Sequence, residues 1–255
     1  MTYVRALAAP FLMTLLLAAA GCAPPQTTAT PPPADPVTAG QRLFHDTSLS
    51  ASGQFACATC HPRGGHTNNH TYVGLEIVPD GQPDGRSTPQ LYGAKDTAPY
   101  SWAGGKTLKD NIKGIIVGRM KGPEPSEQQL DQLAAFVDSL EFAHNPNLNP
   151  DGSPADGAPA AAARGYQVFL KASCNSCHVP PVFAKANAED IGSGGTFSVP
   201  SLRGLAATAP YFHDGRFPTL RALIPVKLGY LKEMGSTETF NDQEIEDLLV
   251  YLNVL

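Results

Sequence analysis

The sequence predicts an all-α protein built from two related helical units with long irregular loops. Three observations carry this expectation. A chain of 255 residues suits two units of roughly 100 to 120 residues better than one. A stretch of the first half recurs in the second without a gap, so that Pro89, Leu91, Gly93, Ala98, Pro99, Tyr100 and Gly104 fall on Pro200, Leu202, Gly204, Ala209, Pro210, Tyr211 and Gly215. Repeats of this kind are the mark of a supersecondary unit used twice. No segment shows a convincing strand-like alternation, and 24 Pro with 24 Gly promise much loop.

The elements follow in chain order. Residues 1–21 read as an export signal of the lipoprotein type: Arg5, an apolar run from Ala6 to Ala20, and then Gly21 before Cys22. Small residues directly ahead of a cysteine resemble a lipobox, which makes Cys22 the expected lipid-bearing residue and a membrane surface the expected anchor. Residues 22–36, rich in Pro, Thr and Ala, form a tether. The first unit is expected over 37–147, a linker over 148–163 and the second unit over 164–255. In each unit a helix (Gly40 to Phe44; Gly165 to Phe169) precedes a Cys-x-x-Cys-His motif. A long Pro/Gly loop follows, then a short helix, then an amphipathic closing helix. Ser126 with Gln129, and Asn241 with Glu244, are capping boxes that start those last helices.

The cysteines decide the chemistry. Five are present; Cys22 belongs to the leader, and the other four sit in Cys57-x-x-Cys60-His61 and Cys174-x-x-Cys177-His178. Two thiols at this spacing can bond both vinyl groups of one porphyrin, and the adjoining histidine then meets the iron from the same side. A zinc site would not need a histidine at the same offset twice, and a reactive dithiol would want a βαβ context. Two covalent haem c groups are therefore expected, held by two cytochrome c-like domains related by internal duplication. Apart from Met1 and Met13 the methionines are Met120 and Met234, at matching places before the closing helices. They are the candidate sixth ligands, since a thioether on iron raises its potential and suits electron transfer. Arg86 and Arg203 are candidates for the propionates, because a guanidinium pairs well with a carboxylate. A formal charge of −5 gives no basic face for nucleic acid.

Val199-Pro200-Ser201-Leu202-Arg203 and Ala209-Pro210-Tyr211-Phe212-His213-Asp214-Gly215-Arg216 resemble the signature of the bacterial di-haem cytochrome c peroxidase and MauG superfamily. The resemblance covers nearly all of the chain after the leader. It implies a periplasmic oxidoreductase in which a C-terminal haem, ligated by His178 and Met234, receives electrons and passes them to an N-terminal haem where peroxide or another substrate reacts. It also implies Trp102 as a relay between the haems, a small soluble cytochrome c or cupredoxin as donor, and in some relatives a calcium ion, which this sequence does not specify. Two departures are visible. The family's acid/base glutamate is replaced by Arg119, and the loop that carries a distal histidine offers His66 and His70 out of register. These four residues, His66, His70, Arg119 and Trp102, are the candidate catalytic set. A two-haem conduit without enzymatic turnover is the alternative.

Overall fold

The computed structural model describes residues 35–224 and 238–255. The expected export signal, Cys22 and Met234 lie outside the described residues, as do all but the last two positions of the expected tether. The described chain belongs to one compact unit, residues 34–255.

In the first half α1 (Pro36–Phe44) starts where Asp35 accepts a hydrogen bond from the Thr38 amide at 3.0 Å, with Pro36 in its first turn. The short α2 (Cys57–Cys60) carries the first thiol pair. Further on, α3 (Leu108–Lys113) runs into a π-helical turn, Gly114–Arg119, and α4 (Glu127–Asp138) opens on the Ser126/Gln129 capping box. The second half repeats the order with α5 (Ala160–Lys171), a short α6 (Leu220–Leu223) and α7 (Asp242–Val254), which opens on the Asn241/Glu244 box. Helix α5 begins at Ala160, inside the stretch expected to be linker; Pro159 supplies the fixed φ that ends the irregular chain there.

The structure is rich in helix, as expected, but not all-α: five short strands interrupt the loops of the described residues. β1 (Thr71–Val73) pairs antiparallel with β2 (Glu76–Val78) and with β3 (Arg86–Ser87), giving the order β2-β1-β3. β4 (Lys185–Asp190) pairs antiparallel with β5 (Thr196–Val199) across a register shift. Strands of two to six residues such as these carry too few side chains for period-two patterning to show.

Each half has its own core. In the first, Phe44, Leu49, Ile116, Met120, Leu133, Phe136 and Val137 pack together; in the second, Val168, Phe169, Phe183, Ile245, Leu248 and Tyr251 lead a larger cluster. The helix pairs α1/α4 and α5/α7 close on a glycine in both cases. A Cβ on Gly40 would lie 1.8 Å from the Gln132 carbonyl oxygen, and one on Gly165 would lie 1.9 Å from that of Asp247. Glycine is what allows the backbones to approach so closely.

The repeated stretch folds alike in both places. Gly93 and Gly204 both sit at φ 69° and open a 3₁₀ turn, Ala94–Asp96 and Leu205–Ala207. The Tyr100 amide bonds to the Lys106 carbonyl and the Tyr211 amide to that of Phe217. Each tyrosine hydroxyl donates back to the start of its turn, Tyr100 to the Ala94 carbonyl at 3.0 Å and Tyr211 to that of Leu205 at 3.2 Å.

The halves meet through reciprocal contacts at these same positions. The Ser87 amide donates to the His213 carbonyl at 2.7 Å, and the Ser198 amide donates to the Trp102 carbonyl at 2.8 Å. The Ser87 hydroxyl reaches the Pro210 carbonyl, and the Ser198 hydroxyl that of Pro99. Residue i on one half meets residue j on the other, and j meets i, as across a twofold axis.

Candidate functional site

All four cysteines of the two motifs are unpaired and partly buried. Burial pushes the Cys57 thiol up to about 11 and the Cys174 thiol up to about 12, and raises Cys60 as well. A reactive dithiol needs the opposite, a depressed pKa. Cys57, Cys60 and Cys174 are neutral thiols in apolar surroundings.

The two histidines are held in matching ways. Burial lowers His61 to about 4 against the nearby Pro89 carbonyl, with the positive charge of Arg119 adding to the effect. His178 is lowered by burial too, and it faces the carbonyls of Phe183 and Pro200. Both rings are therefore neutral at ordinary pH, each with a lone pair free for a metal. The His178 Nδ1 lies 3.1 Å from the Phe183 carbonyl, which leaves Nε2 as the ligating atom. Pro89 and Pro200, whose carbonyls the two imidazoles face, are equivalent positions of the repeat. The His61 Nδ1 is buried without a hydrogen bond of good geometry.

Beside the second motif lies an apolar cleft, open on one side to solvent. Cys174, Cys177 and His178 line it, together with Phe169, Leu205, Tyr211 and Leu248. A flat, mostly apolar macrocycle fits this lining, and two thiols and an imidazole on one wall are the donor set it needs. The residues present fit haem c.

Trp102 belongs to the first half by sequence but lines this cleft of the second half. Its Nε1 donates to the Ser87 carbonyl at 2.8 Å. His213, its counterpart in the repeat, sits edge-on to it with ring centroids 6.4 Å apart, and lies stacked on Phe197 at 3.7 Å. The Arg86 guanidinium lies over the other ring of that pair, 5.6 Å from the Phe197 centroid.

The remaining candidates are scattered. Arg86 is tied to the carbonyls of Pro83 and Gly85. Arg203 lies over Phe142 at 5.2 Å, donates to the carbonyls of Pro181 and Ala143, and keeps a buried Nε with no acceptor. Arg119 ends the π-helical turn half-buried beside Cys60 and Arg86, with no carboxylate to balance it among the described residues. Met120 follows it into the first core, 4% exposed, in a cluster against which Cys57 and Ala58 pack. His66 packs edge-on against Tyr92 at 5.0 Å, and the exposed His70 against Tyr72 at 6.4 Å.

Phe197, Asp214 and Arg216 carried no role in the sequence. In the structure Asp214 is 1% exposed. Both its oxygens accept from Arg216 Nε, at 2.9 and 2.8 Å, and Arg216 also donates to the Ser193 carbonyl at 2.9 Å. Burial works to raise the Asp214 carboxyl, but the Arg216 hydrogen bonds and charge hold it below the usual carboxylate range. An aspartate two residues before an arginine was the available signal.

These features suit a di-haem protein, and the chain is similar over most of its length to the di-haem cytochrome c peroxidase and MauG superfamily. Residues 34–148 match the family model for di-haem cytochrome c peroxidase, and residues 196–227 match that for RoxA-like, cytochrome c-like proteins. The chain is 25% identical to hydrazine synthase subunit gamma of Kuenenia stuttgartiensis, over 86% of this chain and 77% of that protein. It is 29% identical to the methylamine utilization protein MauG of Methylorubrum extorquens, over 87% of this chain and 78% of that one. A solved structure of the Kuenenia stuttgartiensis hydrazine synthase superposes with a TM-score of 0.71 at 22% identity, covering 97% of this chain and all of that one, a likeness of fold.

Proposed function

We propose that the protein is an exported oxidoreductase that takes electrons one at a time at its second haem site and delivers them past Trp102 to the first, where hydrogen peroxide or a related oxidant is reduced. One observation carries this reading: Trp102 rises from the first half into the cleft that holds Cys174, Cys177 and His178. An aromatic side chain placed there joins two sites that would otherwise be separate. Haem iron supplies reversible one-electron chemistry and, where one position is open, a place for peroxide to bind.

The chain's own residues do the rest. His61 and His178 stay neutral and oriented, ready to ligate. Met234 is the proposed sixth ligand at the second site. The body is proposed to descend from one duplicated unit, with Trp102 and His213 as the point where its two copies diverged most usefully. At the first site Arg119 offers a half-buried positive charge where a peroxide anion or a porphyrin propionate would be stabilised. The Arg203 Nε, buried without an acceptor, has room for a propionate oxygen. A small cytochrome c or cupredoxin is the proposed donor, and a lipid on Cys22 the proposed tether in the periplasm.

A second reading has support from Met120, which is buried in the first core, the cluster against which Cys57 and Ala58 also pack. Optical and paramagnetic spectra of the half-reduced protein separate the two. A high-spin first haem, rapidly oxidised by added peroxide, supports the enzyme. Two low-spin haems that ignore peroxide leave a two-haem conduit, and Met120→Ala then opens the first site.

A further inference from the structure

His213 stands between two spaces of different character. It lines the apolar cleft that holds the second thiol pair, and also a polar pocket formed with Gly81, Pro83, Ser193, Gly194, Asp214 and Arg216. The ring is 5% exposed. It is clamped face to face on Phe197 at 3.7 Å, 14° from parallel, and meets Trp102 edge-on. Ser87 ties the two together, accepting from the Trp102 indole and donating to the His213 carbonyl. The imidazole itself makes no hydrogen bond among the described residues, and its Nε2 lies 3.9 Å from the nearer Asp214 oxygen, beyond hydrogen-bonding range.

We propose that His213 takes up a proton from the polar pocket whenever an electron occupies the second haem site, and returns it when the electron leaves past Trp102. This rests on the electron path proposed above. The step balances: one electron from the donor protein enters the cleft, one proton from pocket water forms an N–H bond on the imidazole, and the pair leaves the net charge of the buried region unchanged. A lone electron added to an apolar enclosure is costly, and a neutral imidazole on its wall that can become cationic offsets that cost.

The surrounding charges suit a ring that starts neutral. Burial disfavours its protonation; Asp214 favours it, while Arg216 and Arg86 oppose it. Asp214 and Arg216 lie on its own loop and Arg86 on β3. Glu189 of β4 also lines the cleft, but is paired with Lys185 at 2.7 Å. Extra negative charge in the cleft tips this balance toward the protonated form. The phenylalanine stack holds the ring in place through the change.

The test is a spectroelectrochemical titration of the intact di-haem protein between pH 5 and 8, following the haem that is reduced first. The midpoint potential of the wild type should fall with rising pH, by up to about 59 mV per unit for one proton per electron. His213→Gln, shown by mass to keep both haems, should flatten most of that slope. Asp214→Asn, which removes the carboxylate beside the ring, should move the sloping window to lower pH. A wild-type potential independent of pH overturns the proposal without any variant. Equal slopes in wild type and His213→Gln also overturn it, since propionates alone would then account for the slope. In both cases the proposed electron path stands; a protein lacking haem at the second motif would instead remove that path.

Discussion

At the scale of single residues, apolar burial does two jobs. It keeps the thiols of Cys57 and Cys174 protonated and the imidazoles of His61 and His178 neutral. Asp214 is the exception, a carboxylate kept charged by Arg216 in spite of burial. Because its folded pKa is depressed, its contribution to stability is present above the unfolded value of about 3.9 and is lost as pH falls through the lower folded value. Asp214→Ala should cost about 3 kcal/mol at neutral pH by removing the buried carboxylate that holds the Arg216 guanidinium, and the deficit should shrink in acid. Denaturant unfolding at pH 7 and pH 3 checks both. The proposed haem-binding residues are legible in the sequence because they are local, five adjacent positions each. The Trp102–His213–Phe197 cluster is not, since nothing in sequence order brings three rings together from separate loops.

Among the elements, the decisive packing is helix on helix through glycine. Gly40→Ala or Gly165→Ala drives a methyl group into the carbonyl oxygen of Gln132 or Asp247. Separation of the helices should destabilise the affected half by roughly 2 to 3 kcal/mol. Thermal unfolding followed by circular dichroism would show it, with haem loss from that half first. Arg164, bidentate on Asp247 at 2.7 Å, and Lys171 on Glu244 at 2.8 Å, both fasten α5 to α7. The capping boxes at Ser126 and Asn241 were readable because a cap is written within four residues. The strands were missed for a physical reason. β4 is Lys-Ala-Asn-Ala-Glu-Asp, with no buried residue along it, and β3 is two residues long; their partners, not their patterns, make them strands. The π-helical turn ahead of Met120 also left no pattern, yet it sets which way Arg119 and Met120 face.

Across the whole molecule, the two halves face each other through contacts that repeat in reverse, Ser87 to His213 and Pro210, Ser198 to Trp102 and Pro99. Near-symmetry puts Trp102 and His213 side by side, and their difference gives the interface a direction. Trp102→Leu should leave both haems attached but slow the oxidation of the second haem by peroxide in stopped-flow measurements, by at least roughly tenfold, or about 1.4 kcal/mol in the barrier. An unchanged rate would take Trp102 off the path. The repeat that predicted two similar halves was plain in sequence; the reciprocal pairing across the interface was not, because a repeat says that two units are alike and nothing about which surfaces they share.

The most direct measurement is the intact mass of the protein purified from a host that attaches haem, read beside the masses of the Cys57→Ala/Cys60→Ala and Cys174→Ala/Cys177→Ala variants. The wild type should carry two covalent porphyrins and each variant one. A wild type with none or one, or a variant that keeps both, would contradict the assignment of the two motifs on which the electron path depends.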